Sequence, residues 1–157
     1  NNYGNLCSRV FSFIKNNCNN KVTKNKNISN SDKTLSKNTT ELMQKLRYEM
    51  DNQNINNYIK SVIKISFLTN KYINDEEPWA LKKSNKEKMN NVMHLALDQI
   101  AKISILLNPI IPLGTNKVLN ALNINLKSLS LDFLDGKNIL KENIKVKDLD
   151  ILFKKII

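Results

Sequence analysis

Glycine is almost missing from this chain: Gly4, Gly114 and Gly136 are the only three in 157 residues. They are too few and too scattered to build the glycine-rich loop that cradles a phosphate. Histidine is scarcer still, since His94 stands alone, without a partner at helical spacing for a triad or a metal, and it reads as an ordinary helix residue. Cys7 and Cys18 are the only cysteines and with one histidine cannot complete a structural zinc site. If residues 2–18 are helical, the two lie roughly 16 Å apart at ~1.5 Å per residue, beyond the ~7 Å reach of a disulfide. Both read as reduced thiols of a cytosol-like, cytoplasmic compartment. No apolar run approaches the ~18 residues of a membrane span, and no signal peptide is visible. Lys88-Met89-Asn90 falls inside a predicted helix without the glycine or serine of a nucleotide-binding lysine loop. Glu76 and Glu77 fall at a turn, where a solvated cap is the plainer reading. The chain therefore carries no expected catalytic residue, metal site or cofactor of its own.

Arginine is the next scarcity. Arg9 and Arg47 stand against 23 lysines, and the formal charge is +11. Such a charge points toward nucleic acid or an anionic surface, but Asn, Lys and Ile supply 68 of the 157 residues. All three are specified by A/T-rich codons, so lysine excess alone is weak evidence. An arginine kept in that background marks a place where a planar fork does what an ammonium cannot. Trp79 is the only tryptophan. It follows three acids and Pro78, whose fixed φ stiffens the turn. On such a turn the indole either plugs a helix junction or presents its face to a flat partner.

Apolar spacing predicts helices and no strand of any length. Tyr3, Leu6, Val10, Phe13 and Ile14 make one stripe over residues 2–18. Residues 19–38, rich in Lys, Asn, Ser and Thr, read as a mobile loop. A helix over 39–52 would use Leu42, Leu46 and Glu49/Met50. The next, over 54–73, is apolar on so many sides (Ile55, Tyr58, Ile59, Val62, Ile63, Ile65, Phe67, Leu68, Tyr72) that it reads as a central helix. Ser84 and Glu87 fit a capping box opening a helix to Asn108. Pro109 and Pro112 break it, and Pro112 opens a last helix over 112–123. Beyond Gly136 the pattern weakens into a C-terminal tail, 135–157, whose end from Ile151 to Ile157 would lie against the bundle. The expectation is one domain over 1–157, all-α, an antiparallel bundle of about five helices.

On the first helix Asn5 and Arg9, four apart, leave one face side by side. An amide beside a guanidinium can read the edges of unpaired bases, and a tryptophan face supplies a stacking platform, the combination that reads single-stranded RNA loops. Either residue could equally be merely solvated.

Asn5-Leu6-Cys7-Ser8-Arg9 resembles the Asn-Leu-x-x-Arg signature of the anticodon-binding domain of methionyl-tRNA synthetases. Asn70 to Lys83 is similar to that family's segment ending in Pro-Trp-x-Leu, and Leu106 to Pro112 to its proline break between bundle helices. Leu152-Phe153 echoes its closing motif, although Asp150-Ile151 and Lys154-Lys155 stand where prolines and arginine are common. The resemblance implies recognition of the CAU anticodon of methionine tRNAs, with Asn5 and Arg9 on the bases, Trp79 stacked on the first base and Pro78 holding the indole. It implies a parent enzyme that attaches methionine to tRNA using ATP (with Mg), whose catalytic motifs would lie in an upstream portion that this chain lacks. The chain starts Asn-Asn without Met, so it reads as a piece of something longer. The equivalent bundle of another class I synthetase, or a bundle serving structure or protein interaction alone, remain the alternatives; nothing in the residues speaks to the oligomeric state.

Overall fold

The structure is a computed structural model and describes residues 2–153. Five helices of ten residues or more make up the bundle: α1 (Asn2–Cys18), α2 (Asn30–Gln44), α4 (Ile55–Glu76), α6 (Lys86–Leu107) and α7 (Pro112–Ala121). Two short helices, α3 (Leu46–Asp51) and α5 (Pro78–Ser84), link them. Beside them lies a two-stranded antiparallel ribbon of β1 (Lys21–Thr23) and β2 (Asn143–Lys145).

Helix α6 runs through the middle. Its central turns hold the fully buried Leu97, Ile100 and Ile103, each worth ~1.5–3 kcal/mol relative to exposure. Asn85, not Ser84, caps it, accepting a hydrogen bond from the Lys88 N–H at 3.0 Å. Ser84 instead closes α5, its hydroxyl donating to the Ala80 carbonyl, and Glu87 accepts from the Asn27 amide. The expected capping box does not form: the cap lies one residue later, at Asn85, with Lys88 in the third helical position, because α5 continues through Ser84. Pro112 does open α7.

The segment 19–38 differs from the expected loop. It contains β1 and the first half of α2. Ser29 Oγ accepts from the Asp32 N–H while the Asp32 carboxylate accepts from the Ser29 N–H, a complete capping box. Leu35, Thr39 and Met43 then supply one buried line at i, i+4, i+8. Composition hid this helix because a buried line with only two apolar side chains is enough when a neighbour anchors it: the Tyr72 hydroxyl of α4 donates to buried Asp32 at 2.6 Å.

The expected helix over 39–52 is broken at Lys45, which caps α2 and leads into α3. The break turns Met50 outward and leaves Met43 and Leu46 as the core residues. Helix α4 packs against α1, α2, α3 and α6, yet one of its faces is open: Ile55 and Phe67 are about half exposed at 54% and 56%. α6 is the central helix, not α4.

The weakly patterned tail is held by polar contacts. On α6, Asp98 accepts the backbone N–H groups of Ile139 and Leu140, at 2.7 and 3.0 Å. His94 Nε2 lies 2.7 Å from the Lys141 carbonyl, which makes Nε2 the protonated ring nitrogen. Asn91 accepts the Asn25 N–H and donates to the Asn27 carbonyl. Farther on, Ile151 is exposed, but Phe153 lays its ring where a Cβ on Gly114 of α7 would lie only 2.9 Å from Cε1. Residues Lys154 to Ile157, the rest of the expected apolar end, lie outside the described residues.

Candidate nucleic-acid interface

Two helices that are distant in sequence, α1 and α5, form the site. Pro78 occupies the first position of α5, where its missing N–H costs nothing. Before it, Glu77 adopts the left-handed conformation (φ 45°, ψ 60°) and ends α4. That single inverted residue redirects the chain, so Pro78 is buried and the next residue points outward. Glu76, its side chain 9% exposed, forms an ion pair at 2.8 Å with Lys88 of α6. This tie fixes the turn against the central helix.

Trp79 is 47% exposed. The Arg9 guanidinium of α1 lies over the indole, 5.3 Å from Cζ to the ring centroid. Such a cation–π pair contributes ~0.5–1 kcal/mol at an exposed site. Asn5 is exposed on α1, one turn before Arg9. The structure therefore brings Arg9 and Trp79 into direct contact, sets Asn5 beside them and uses Pro78 as a buried support. Of the two arginines, Arg47 is exposed on α3 and has no part in the site.

A groove of ≈ 310 Å³ borders Asn5, between the Asn5/Ser8/Ser12 edge of α1 and the chain at 148–153. Lys15 and Asp148 close its far end with an exposed ion pair at 2.6 Å. Burial raises the Cys7 thiol to about 12, and it also raises the Cys18 thiol, with nearby Lys82 pulling in the opposite direction. Neither thiol has the lowered pKa of a nucleophile. Among the described residues no group of histidine, cysteine and carboxylate side chains is placed to hold a metal ion, and no helix is long and apolar enough to cross a membrane.

Sequence reasoning missed the polar line on α6. Asn91, His94, Asp98 and Lys102 follow one another at intervals of three and four on an otherwise apolar helix. That spacing is itself the signal, because polar groups repeated on a core face need partners from elsewhere in the chain.

The fold matches part of the methionyl-tRNA synthetase of Mycobacterium tuberculosis bound by methionyl-adenylate, with a TM-score of 0.87 at 20% identity, over 98% of this chain and 31% of that one. The family model described as the anticodon binding domain of methionyl tRNA ligase matches residues 22–157, and the chain belongs to that family. Those residues include Pro78 and Trp79 and begin beyond Asn5 and Arg9. The methionine–tRNA ligase of Rickettsia typhi is 31% identical over 160 residues, covering 99% of this chain and 31% of that protein. That of Rhizobium meliloti is 32% identical over 120 residues, 76% of this chain and 23% of that protein. The matched part of the chain thus spans 23% to 31% of the length of these relatives.

Proposed function

We propose that this bundle reads the CAU anticodon of methionine tRNAs for a cytoplasmic enzyme that joins methionine to tRNA at the expense of ATP and Mg. The observation that carries the reading is the cation–π pair itself: Arg9 lies over an indole that is still about half open to solvent. An indole used only as a plug would be covered by apolar side chains.

In this reading the first anticodon base stacks on the open part of Trp79. The N–H groups at the rim of the Arg9 guanidinium, in the plane of the fork, donate to acceptors on base edges. Asn5 offers both a donor and an acceptor one helical turn away. Pro78, with the Glu76–Lys88 tie, fixes the angle of the indole. Methionine, ATP and Mg are handled by a portion of the parent protein outside this chain. The bundle contributes binding and discrimination, and no chemical step.

Trp79 makes the test direct, because no other indole contributes to the emission. Titration with a CAU stem-loop is expected to quench Trp79 strongly, and a loop differing at the first anticodon base is expected to quench it weakly. Equal quenching by both loops would remove the assignment of Trp79 to the first base. Emission indifferent to either loop would remove the RNA site altogether.

A further inference from the structure

The ribbon carries a feature that its own packing does not explain. β1 and β2 pair in a register that sets Lys21 directly across from Lys145. Like charges so placed destabilise a ribbon. Val22, between the outward residues of β1, is buried, so the strand cannot turn Lys21 away without losing its core contact. Thr23 and Asn143, the outward pair at the other end, are hydrogen-bonded to each other at 2.8 Å. Lys147, exposed, follows two residues beyond Lys145. Among the described residues none of Lys21, Lys145 and Lys147 forms an ion pair, and the nearest acid in sequence, Asp148, is engaged by Lys15 and Asn20. The outward pairs of this ribbon thus offer donors and uncompensated cations, while the exposed Glu142 lies just outside β2, opposite Lys24, whose N–H its carbonyl accepts.

Its position is equally informative. The ribbon sits at the C-terminal end of α1, tied there by the Val146 N–H donating to the Asn20 carbonyl. Arg9 lies nine residues before Cys18, about 14 Å along the same helix at ~1.5 Å per residue. In nucleic acid, that distance corresponds to about four nucleotide steps of ~3.4 Å along one strand. A strand that has a base stacked on Trp79 and runs along α1 toward Cys18 would carry its phosphates to the ribbon.

We infer that the Lys21/Lys145 face of the ribbon is a second RNA contact, which grips the phosphate backbone flanking the loop read at Arg9 and Trp79. The inference rests on the anticodon reading of that site. A phosphate between the two ammonium groups turns the cross-strand repulsion into a shared attraction. The contact carries no base specificity, because phosphates position the RNA and bases are read elsewhere. The competing account is that the lysines only protect a short edge from pairing with other chains.

The test is binding of the CAU stem-loop to the full chain over a range of salt, comparing wild type with Lys21→Gln/Lys145→Gln, and with Lys60→Gln/Lys64→Gln on the remote face of α4 as control. The ribbon double variant should bind all stem-loops more weakly by a common factor, with a salt slope lower by about 1, for the one phosphate the two lysines share. Its preference for CAU and the quench at saturation should persist, and the α4 control should behave as wild type. Lys145→Glu separates the two accounts. It makes an opposite-charge pair with Lys21 and so steadies the ribbon, yet it should bind RNA more weakly than wild type. Wild-type affinity and slope in both ribbon variants would overturn the inference and leave the Trp79 site standing. A wild-type chain that bound CAU and unrelated loops alike, with Trp79 unresponsive, would overturn the anticodon reading, and the ribbon's place in it would go too.

Discussion

The buried carboxylate of Asp98 should be the most sensitive polar position in the bundle. Its side chain is 0% exposed and that of Lys102 3%, and the two are paired at 2.8 Å. The other carboxylate oxygen accepts the Ile139 and Leu140 N–H groups. Asp98→Ala therefore strands a buried ammonium and two backbone donors at once. Removing one member of a buried ion pair costs about 3–5 kcal/mol, and an unsatisfied N–H costs about 1–3 kcal/mol. These costs overlap, since segment 139–141 can lift toward water, so about 3–5 kcal/mol is the expected total. At ~2–4 °C per kcal/mol for a chain of this size, Tm should fall by roughly 6–20 °C. Hydrogen exchange should quicken selectively at Ile139 and Leu140. Asp98→Ala/Lys102→Met, which removes the stranded charge but not the orphaned amides, should recover part of the loss. A Tm within about 2 °C of wild type for Asp98→Ala, or a double variant worse than the single, would refute the view that this pair anchors the tail.

Trp79→Ala should weaken binding of the CAU stem-loop by ~1–3 kcal/mol, the value of one stacked base, as read by anisotropy of a labelled loop; unchanged affinity would rule out stacking. Burial holds the His94 pKa below its ordinary value, outweighing the opposite pull of the Lys141 carbonyl and Asp98. The unfolded chain then takes up the proton first, so the stability that depends on neutral His94 is fully present above about pH 6.5 and is lost as pH falls below it. His94→Gln should flatten that part of the stability–pH curve in denaturant titrations. Cys7, buried and raised to about 12, should resist a thiol reagent at pH 8 until the protein unfolds. Half-buried Cys18 should react first, and peptide mapping that found the reverse order would contradict the packing of α1.

What was legible in the sequence divides by the kind of force at work. The stripes of α1, α4, α6 and α7 could be read because apolar periodicity records which face is buried, and Pro112 marked its helix start through backbone geometry alone. The residues of the candidate site stood out because Trp79 and Arg9 are rare in a chain biased toward Asn, Lys and Ile, and rarity is informative under such bias. Helix α2 was not legible. Its anchor is Asp32 against Tyr72, forty residues away, and no local window contains both. The ribbon was hidden for a related reason: three-residue strands show no alternation, and their pairing depends on residues 120 positions apart, such as Thr23 and Asn143. Break points such as Lys45 carry neither glycine nor proline, so only the competition between two packing directions, resolved in the fold, places them.

In the proposed anticodon reading, arginine at position 9 meets two demands that act in different directions. The Arg9 charge sits over the Trp79 ring, which a planar fork can achieve through its face, whereas hydrogen bonds to a base would use its rim. A planar fork meets both demands in one conformation, because face and rim are perpendicular and do not compete. A lysine in the same place could approach the indole only by directing its ammonium at the ring, which uses the group that would otherwise meet the base. Asn5 cannot compensate, since it lies a turn away and touches a different part of any ligand lying along α1. Arg9→Lys is therefore expected to keep the charge and the fold, to bind stem-loops of any sequence through the remaining lysines, and to lose much of the distinction between CAU and other anticodons. Discrimination equal to wild type in competition binding would show that the fork is needed for stacking alone and that base reading lies with other residues.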